Sequence, residues 1–430
     1  MNNYKFPLPL GLLAGVLCLG CDPQPKPAPP AAPAASALSV SAPATNTHAH
    51  GGHTSHGAPP AGKPAMKSVA RLGVESLDVI ADGATLHLLV ANYPATNQPP
   101  VLLHTRSMDA GANWSPPVRV DAGATPPKSP HRGMDAQLAA RGSQVIALWG
   151  TAGTGLFGSG PLATALSADG GATWRPGPNP ADDGLTTGHG FVDIAADSAG
   201  TFHLVWLDSR DGKQGLRYAN SKDGGKTWSR NTTLKAETCE CCWNTLAVGA
   251  DGSLHALFRD KIPRDMAVIS SADRGAHWGD PAKVGRFNWD FAGCPHVGGG
   301  LAVRGSSLHA LIWTGATGHG GAYHLSSPDQ GQSWSAPQRL GDADARRGDL
   351  ASAGAQSLAA VWDRVADGES TVHAVRSADG GKTWSEPKQL SPQGVTAAYP
   401  RVVAVAGGYR VFWTESTPGQ PSVWRTAALP

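Results

Sequence analysis

The sequence predicts an all-β fold, a β-propeller of four-stranded blades, seven in number with six as the alternative. Three observations predict it. First, the signature S-x-D-x-G-x-x-W occurs six times, starting at Ser107, Ser167, Ser221, Ser271, Ser327 and Ser377, at intervals of 50 to 60 residues. A recurrence of that length marks supersecondary units that bury their faces by stacking. Second, four short strand-like segments return around each signature, as in FVDIAA, LVWL, LRYANS and WSRNTTL of residues 191–234. The signature then falls in the turn between the third and fourth strands. Third, the chain ends on three strand-like segments without a signature, residues 399–404, 409–414 and 422–427. The missing outer strand is expected from residues 67–72, KSVARL. Joining the termini in one blade closes the ring and removes exposed sheet edges.

The elements follow in chain order. Residues 1–21 hold one lysine, an apolar run too short to span a bilayer comfortably, and then Gly20-Cys21. This stretch resembles a bacterial lipoprotein signal, which implies lipidation of Cys21 and a protein anchored in the cell envelope, facing the periplasm or the surface. Residues 22–66 are almost all Pro, Ala, Ser and Gly without an aromatic residue. Such a segment buries too little to offset an ordering entropy of roughly 1–2 kcal/mol per residue, and it reads as a disordered stalk. Within it His48, His50, His53 and His56 could chelate a metal ion, unless they are only part of a polar linker. The propeller occupies residues 67–430.

In each signature the aspartate (Asp109, Asp169, Asp223, Asp273, Asp329 or Asp379) can accept turn N–H groups, the glycine can take positive φ, and the tryptophan can plug the gap between sheets. This resembles the Asp-box, or BNR-repeat, β-propellers, the superfamily that includes the sialidases. CxCC at residues 239–242, Phe258-Arg259-Asp260, Arg264-Asp265 and Gly293-Cys294-Pro295 together resemble a bacterial lipoprotein subgroup labelled sialidase-like.

Propeller geometry sends the signatures to one face and the lead-in loops of the inner strands to the other, at the mouth of the channel. Cys239, Cys241, Cys242 and Cys294 are expected to meet there, on two adjacent blades, with His296 beside them. Three readings stay open: structural disulfides, a thiolate-rich metal site suited to Cu(I) and then Zn(II), and redox thiols. The main expectation is an envelope-anchored binding protein that captures or delivers copper at this Cys/His cluster.

The alternative is an exo-sialidase or another glycoside hydrolase. The resemblance would then imply Tyr399 as nucleophile, Arg132, Arg259 and Arg401 as the carboxylate clamp, Asp135 or Asp260 as acid, and Glu415 beside Tyr399. Two things weigh against it: no R-I-P tripeptide occurs, and the known sialidases have six blades. A scaffold for an envelope protein partner is the second alternative. With a formal charge of +2 and no basic stripe, no nucleic-acid partner is expected.

Overall fold

The structure is a computed structural model that describes residues 72–129, 133–155, 158–354 and 356–429. The chain divides into Met1–Lys67 and Ser68–Pro430, and the described residues belong to the second unit. Cys21, the stalk histidines His48, His50, His53 and His56, residues 67–71, His131 and Arg132 lie outside them. Among the described residues no helix is long and apolar enough to cross a membrane.

Among the described residues seven antiparallel sheets form seven blades, six of four strands and the last of three. Blade one spans residues 73–119, blade two 137–177, blade three 189–235, blade four 245–284, blade five 299–341, blade six 345–389 and blade seven 396–429. The first strand of each blade packs against that of the next, and the first strand of blade seven, Thr396–Val405, returns to that of blade one, Gly73–Asp82. The six-blade alternative is therefore set aside.

Closure uses the N-terminal segment, as the sequence suggests. Gly73 bridges Ser422 in parallel beside the outer strand of blade seven, with Ser422 N–H donating to Leu72 O at 2.9 Å and Val74 N–H to Ser422 O at 2.7 Å.

The signatures explain how blades adhere. In blade two the Ser167 hydroxyl donates to Asp169 Oδ1 at 2.7 Å and accepts from Gly171 N–H at 2.8 Å, while Thr173 N–H donates to Asp169 Oδ1 at 2.9 Å. The Thr173 hydroxyl, which donates to Asp169 Oδ2, and then the Thr173 N–H and the Ser167 hydroxyl hold the Asp169 carboxyl down at about 2. The tight turn then aims Trp174 edge-on at His104 of blade one. Trp278 meets Tyr218 of blade three, and Trp384 meets His324 of blade five. In blade one Trp114 packs on Phe412 and Trp424 of blade seven, which closes the ring a second time.

The same turn shows why only one glycine of the signature is fixed. Two successive residues have positive φ, the first being Ala110, Arg274 or Gln330 in three blades and glycine in the others. At the first, Gly380, a Cβ would meet nothing within 4 Å; at the second, Gly381, it would collide with the His324 ring of the preceding blade. Gly381→Ala is therefore expected to cost at least ~2 kcal/mol and Gly380→Ala no more than ~1 kcal/mol, as read from urea unfolding midpoints.

A second lock runs around the channel. Carboxylates on inner strands accept backbone N–H groups of the next blade: Asp78 from Leu138 at 2.9 Å, Asp193 from Leu246 at 2.6 Å and Asp349 from Val402 at 2.9 Å. Their arrangement leaves the lead-in loops of the inner strands gathered around one end of the channel.

Candidate functional site

The inner strands of blades three, six and seven begin with bulges. Register breaks between Val205 and Leu207, Ala345 and Gly348, and Ala398 and Arg401 leave residues unpaired at the channel mouth. Phe191 (φ 53°) and Tyr399 (φ 57°) sit in these bulges in the left-handed region, and so does His296 (φ 52°) just before blade five. For bulky residues this conformation is costly and marks positions the surrounding structure holds in place.

Tyr399 is the centre of a layered cluster. The Arg347 guanidinium lies 4.1 Å from its ring centroid and within hydrogen-bonding reach of its hydroxyl. Trp243 stacks on the ring at 5.7 Å with an interplanar angle of 24°. Beneath them the fully buried Asp363 accepts from Arg347 Nε at 3.1 Å and from Tyr399 N–H at 3.0 Å. Burial opposes the Arg347 charge, but Asp363 and Tyr399 outweigh it and raise its pKa. Trp243 itself reaches across the mouth from blade four, its indole pressed against Gly133 of the lead-in to blade two and Gly298 of the lead-in to blade five.

The sialidase-type set is not assembled in the expected way. Arg259 is buried, donating to the carbonyls of Arg264 (2.7 Å), Trp313 (2.8 Å) and Val297 (3.3 Å), with Trp289 and Trp313 against its guanidinium. A guanidinium so engaged has no fork left for a ligand carboxylate. Arg401 lines the channel among Asp349, Asp78, Asp193 and Asp135; burial opposes its charge, but these carboxylates outweigh burial and raise its pKa. Asp135 is thus one of the carboxylates grouped around Arg401. Glu415 accepts from Trp413 Nε1 at 3.3 Å and Arg425 Nε at 3.1 Å, and Asp260 caps Lys261 N–H at 2.9 Å. Arg347 and Asp363 take the places beside Tyr399 that the sequence assigned to Arg259, Arg401 and Glu415. The bulge that points Arg347 inward left no mark in the local sequence.

The channel acids give the fold a pH signature. Burial pushes Asp78 up to about 6 and Asp193 up to about 7. With folded values above the unfolded value near 3.9, they contribute stability below about pH 4 that is lost as pH rises through 6–7. Burial has the opposite consequence for His87, His104 and His255, lowered to about 4, and His324, lowered to about 3. Their stabilisation is present above about pH 6.5 and lost as pH falls toward 4. Calorimetric scans are expected to show a stability maximum near pH ~6.5, steeper on the acid side, and Asp193→Asn should flatten the decline between pH ~6 and ~8.

The cysteines do meet at the mouth, but they divide. Cys239 and Cys242 form a disulfide with a Cα–Cα distance of 5.9 Å, whereas Cys241 and Cys294 are free. The expected set of Cys239, Cys241, Cys242, Cys294 and His296 thus divides: Cys239 and Cys242 are bridged to each other, and Cys241 and Cys294 keep their thiols beside His296. The ligand atoms of Cys241, Cys294 and His296 lie within 4.8 Å of one another. The hydrogen bond from Cys241 lowers the pKa of the Cys294 thiol, and that bond, together with burial, raises the Cys241 thiol.

A third cluster brings Asp183 to His189 and Asp208 in blade three. Asp208 accepts from Trp206 Nε1 and Arg217 Nε, both at 2.9 Å, and from Arg210 Nη2 at 2.7 Å; His189 Nε2 is 2.9 Å from Asp183. Asp183, His189 and Asp208 are close enough together to hold a cation, but Asp208 is already saturated by two guanidiniums. A groove of about 590 Å³ lies between the outer edges of blades five and six, lined by Arg339, Trp362, His373 and Trp384.

A protein family described as a BNR repeat-like domain matches residues 101–292. No curated protein matches the chain significantly. Among solved structures, a polysaccharide lyase of a new family, an ulvan lyase bound to -[GlcA(1-4)Rha3S]-, matches with TM-score 0.58 at 13% identity, covering 84% of this chain and 97% of its own. The Hadza microbial sialidase Hz136 matches with TM-score 0.47 at 17% identity, covering 80% and 76%. The NanB sialidase from Streptococcus pneumoniae, as its K499G mutant, matches with TM-score 0.44 at 10% identity, covering 82% and 66%.

Proposed function

Proceeding from a BNR-repeat, sialidase-like propeller fold, we propose that the protein cleaves glycosidic bonds at a carboxylate-bearing sugar bound over the channel mouth. The single observation that carries this reading is the Arg347–Tyr399–Trp243 layer seated on Asp363. With the Arg347 guanidinium held against the ring, Tyr399 Oη is the reactive atom, either attacking the anomeric carbon or taking the proton next to the sugar carboxylate. Trp243 offers an apolar face to a sugar ring, and Asp363 is a positioning residue that sets both Arg347 and the Tyr399 backbone. The reading differs from the expected exo-sialidase in using Arg347 where Arg132, Arg259 and Arg401 were foreseen. We place the enzyme in the bacterial envelope, tethered through Cys21. Incubation with a sialoside, a uronate-containing polysaccharide and a neutral polysaccharide, with products identified by mass spectrometry, tests it; cleavage of acidic glycans is expected.

A second reading, capture or delivery of a soft metal such as copper, is favoured by one specific observation: the free thiols of Cys241 and Cys294 and a ring nitrogen of His296 converge within 4.8 Å. Nothing beyond the fold speaks for the protein-binding scaffold.

A further inference from the structure

Resting on that second reading, we infer that the thiol cluster is a three-ligand site for Cu(I), built by Cys241, Cys294 and His296 alone, with the Cys239–Cys242 disulfide as its scaffold. The disulfide encloses Cys241 in a loop with a sequence separation of 3, and the Cys241 sulfur lies 4.0 Å from that of Cys239. The position of that thiol is therefore fixed before any ion arrives. Opposite it, Cys294 and His296 come from one turn of the blade-five lead-in, and the backbone N–H of His296 donates to the Cys241 sulfur. The left-handed conformation of His296 (φ 52°) is what folds its side chain back toward the two sulfurs.

The donor set selects the ion. Two thiolates and an imidazole are soft and borderline donors, and three of them satisfy Cu(I). Structural Zn(II) prefers four ligands, and bridging Cys239 to Cys242 removes the two further sulfurs that could complete a tetrahedron. Binding changes no oxidation state: Cys241 and Cys294 each give their thiol proton to solvent, two sulfurs and one ring nitrogen each donate an electron pair, and Cu(I) with two thiolates leaves one net negative charge. Access is one-sided. Cys241 is buried, but Cys294 and His296 are only half-buried, so the ion enters from the blade-five side.

The test loads the full chain anaerobically with Cu(I) and follows sulfur-to-copper charge-transfer absorption, which the stalk histidines cannot produce, during competition with bathocuproine disulfonate. Wild type is expected to show the band. Cys241→Ser and Cys294→Ser should abolish it and weaken copper retention by at least ~100-fold, and His296→Ala by ~10–100-fold. Cys239→Ser/Cys242→Ser should keep the band. Alkylation mapping of the loaded wild type, which needs no variant, should recover Cys239 and Cys242 as one disulfide peptide and Cys241 and Cys294 as protected thiols. A band accompanied by copper-protected Cys239 and Cys242 would overturn the three-ligand site and keep the metal reading. No band, with Cys241 and Cys294 freely alkylated or bridged to each other, would overturn both.

Discussion

Tyr399→Phe is expected to lower cleavage of acidic glycans by on the order of 10²–10⁴-fold while the unfolding midpoint stays where it is. The substitution removes one oxygen. The ring keeps its stack on Trp243 and its contact with Arg347, and the backbone N–H keeps Asp363. A role limited to packing would leave turnover nearly unchanged, so the size of the rate loss separates chemistry from architecture. Arg347→Lys should fall between wild type and Tyr399→Phe, because an ammonium keeps the charge but loses the planar fork that spans Tyr399 and Asp363. Steady-state rates with an acidic oligosaccharide check both.

Asp208→Leu is expected to destabilise the fold by ~3–5 kcal/mol, read from urea unfolding. Arg217 is fully buried, and Asp208 is its buried carboxylate partner at 2.9 Å; its other acidic contact, Asp211, is 66% exposed and screened by solvent. Removing Asp208 strands a guanidinium in the interior and also frees Trp206 Nε1. Arg210 is less affected because it keeps Asp182 at 3.0 Å near the surface. Replacing both partners, Asp208→Leu with Arg217→Met, should recover much of the loss, since a buried pair is costly to break and far less costly to omit.

The propeller was legible because its repeat is local. A signature of eight residues carries its own turn, its own carboxylate cap and its own plug, so counting signatures and the three trailing strands yields seven blades. The meeting of the cysteines was legible for the same reason: Cys242 and Cys294 are about one repeat apart.

What escaped depends on register across strands. His87, His203, His255 and His309 stand at one equivalent place in the second strands of four blades, each preceded by Leu or Phe. Each bonds through Nδ1 to the neighbouring third strand, to His104 (3.0 Å), Tyr218 (2.8 Å), Ser270 (2.8 Å) and His324 (3.2 Å). A lone histidine in an apolar strand says nothing of such a partner, because the partner lies 15 or more residues away along the chain. Arg259 misled in the opposite sense. An arginine at a strand end on the mouth face fits a clamp, and only the carbonyls of Val297 and Trp313, from the next blade, turn it into a structural bolt. Arg347 was passed over because a bulge, not the alternation of the strand, turns it toward Tyr399.

The measurement that bears most directly on the central claim compares wild type with Tyr399→Phe on a sialoside, a uronate-containing polysaccharide and a neutral polysaccharide, with product masses read at matched protein concentration. The account predicts cleavage of an acidic glycan by wild type, little or none of the neutral one, and loss of that cleavage in the variant. Equal cleavage by the two proteins, or none of any substrate by wild type, would contradict it.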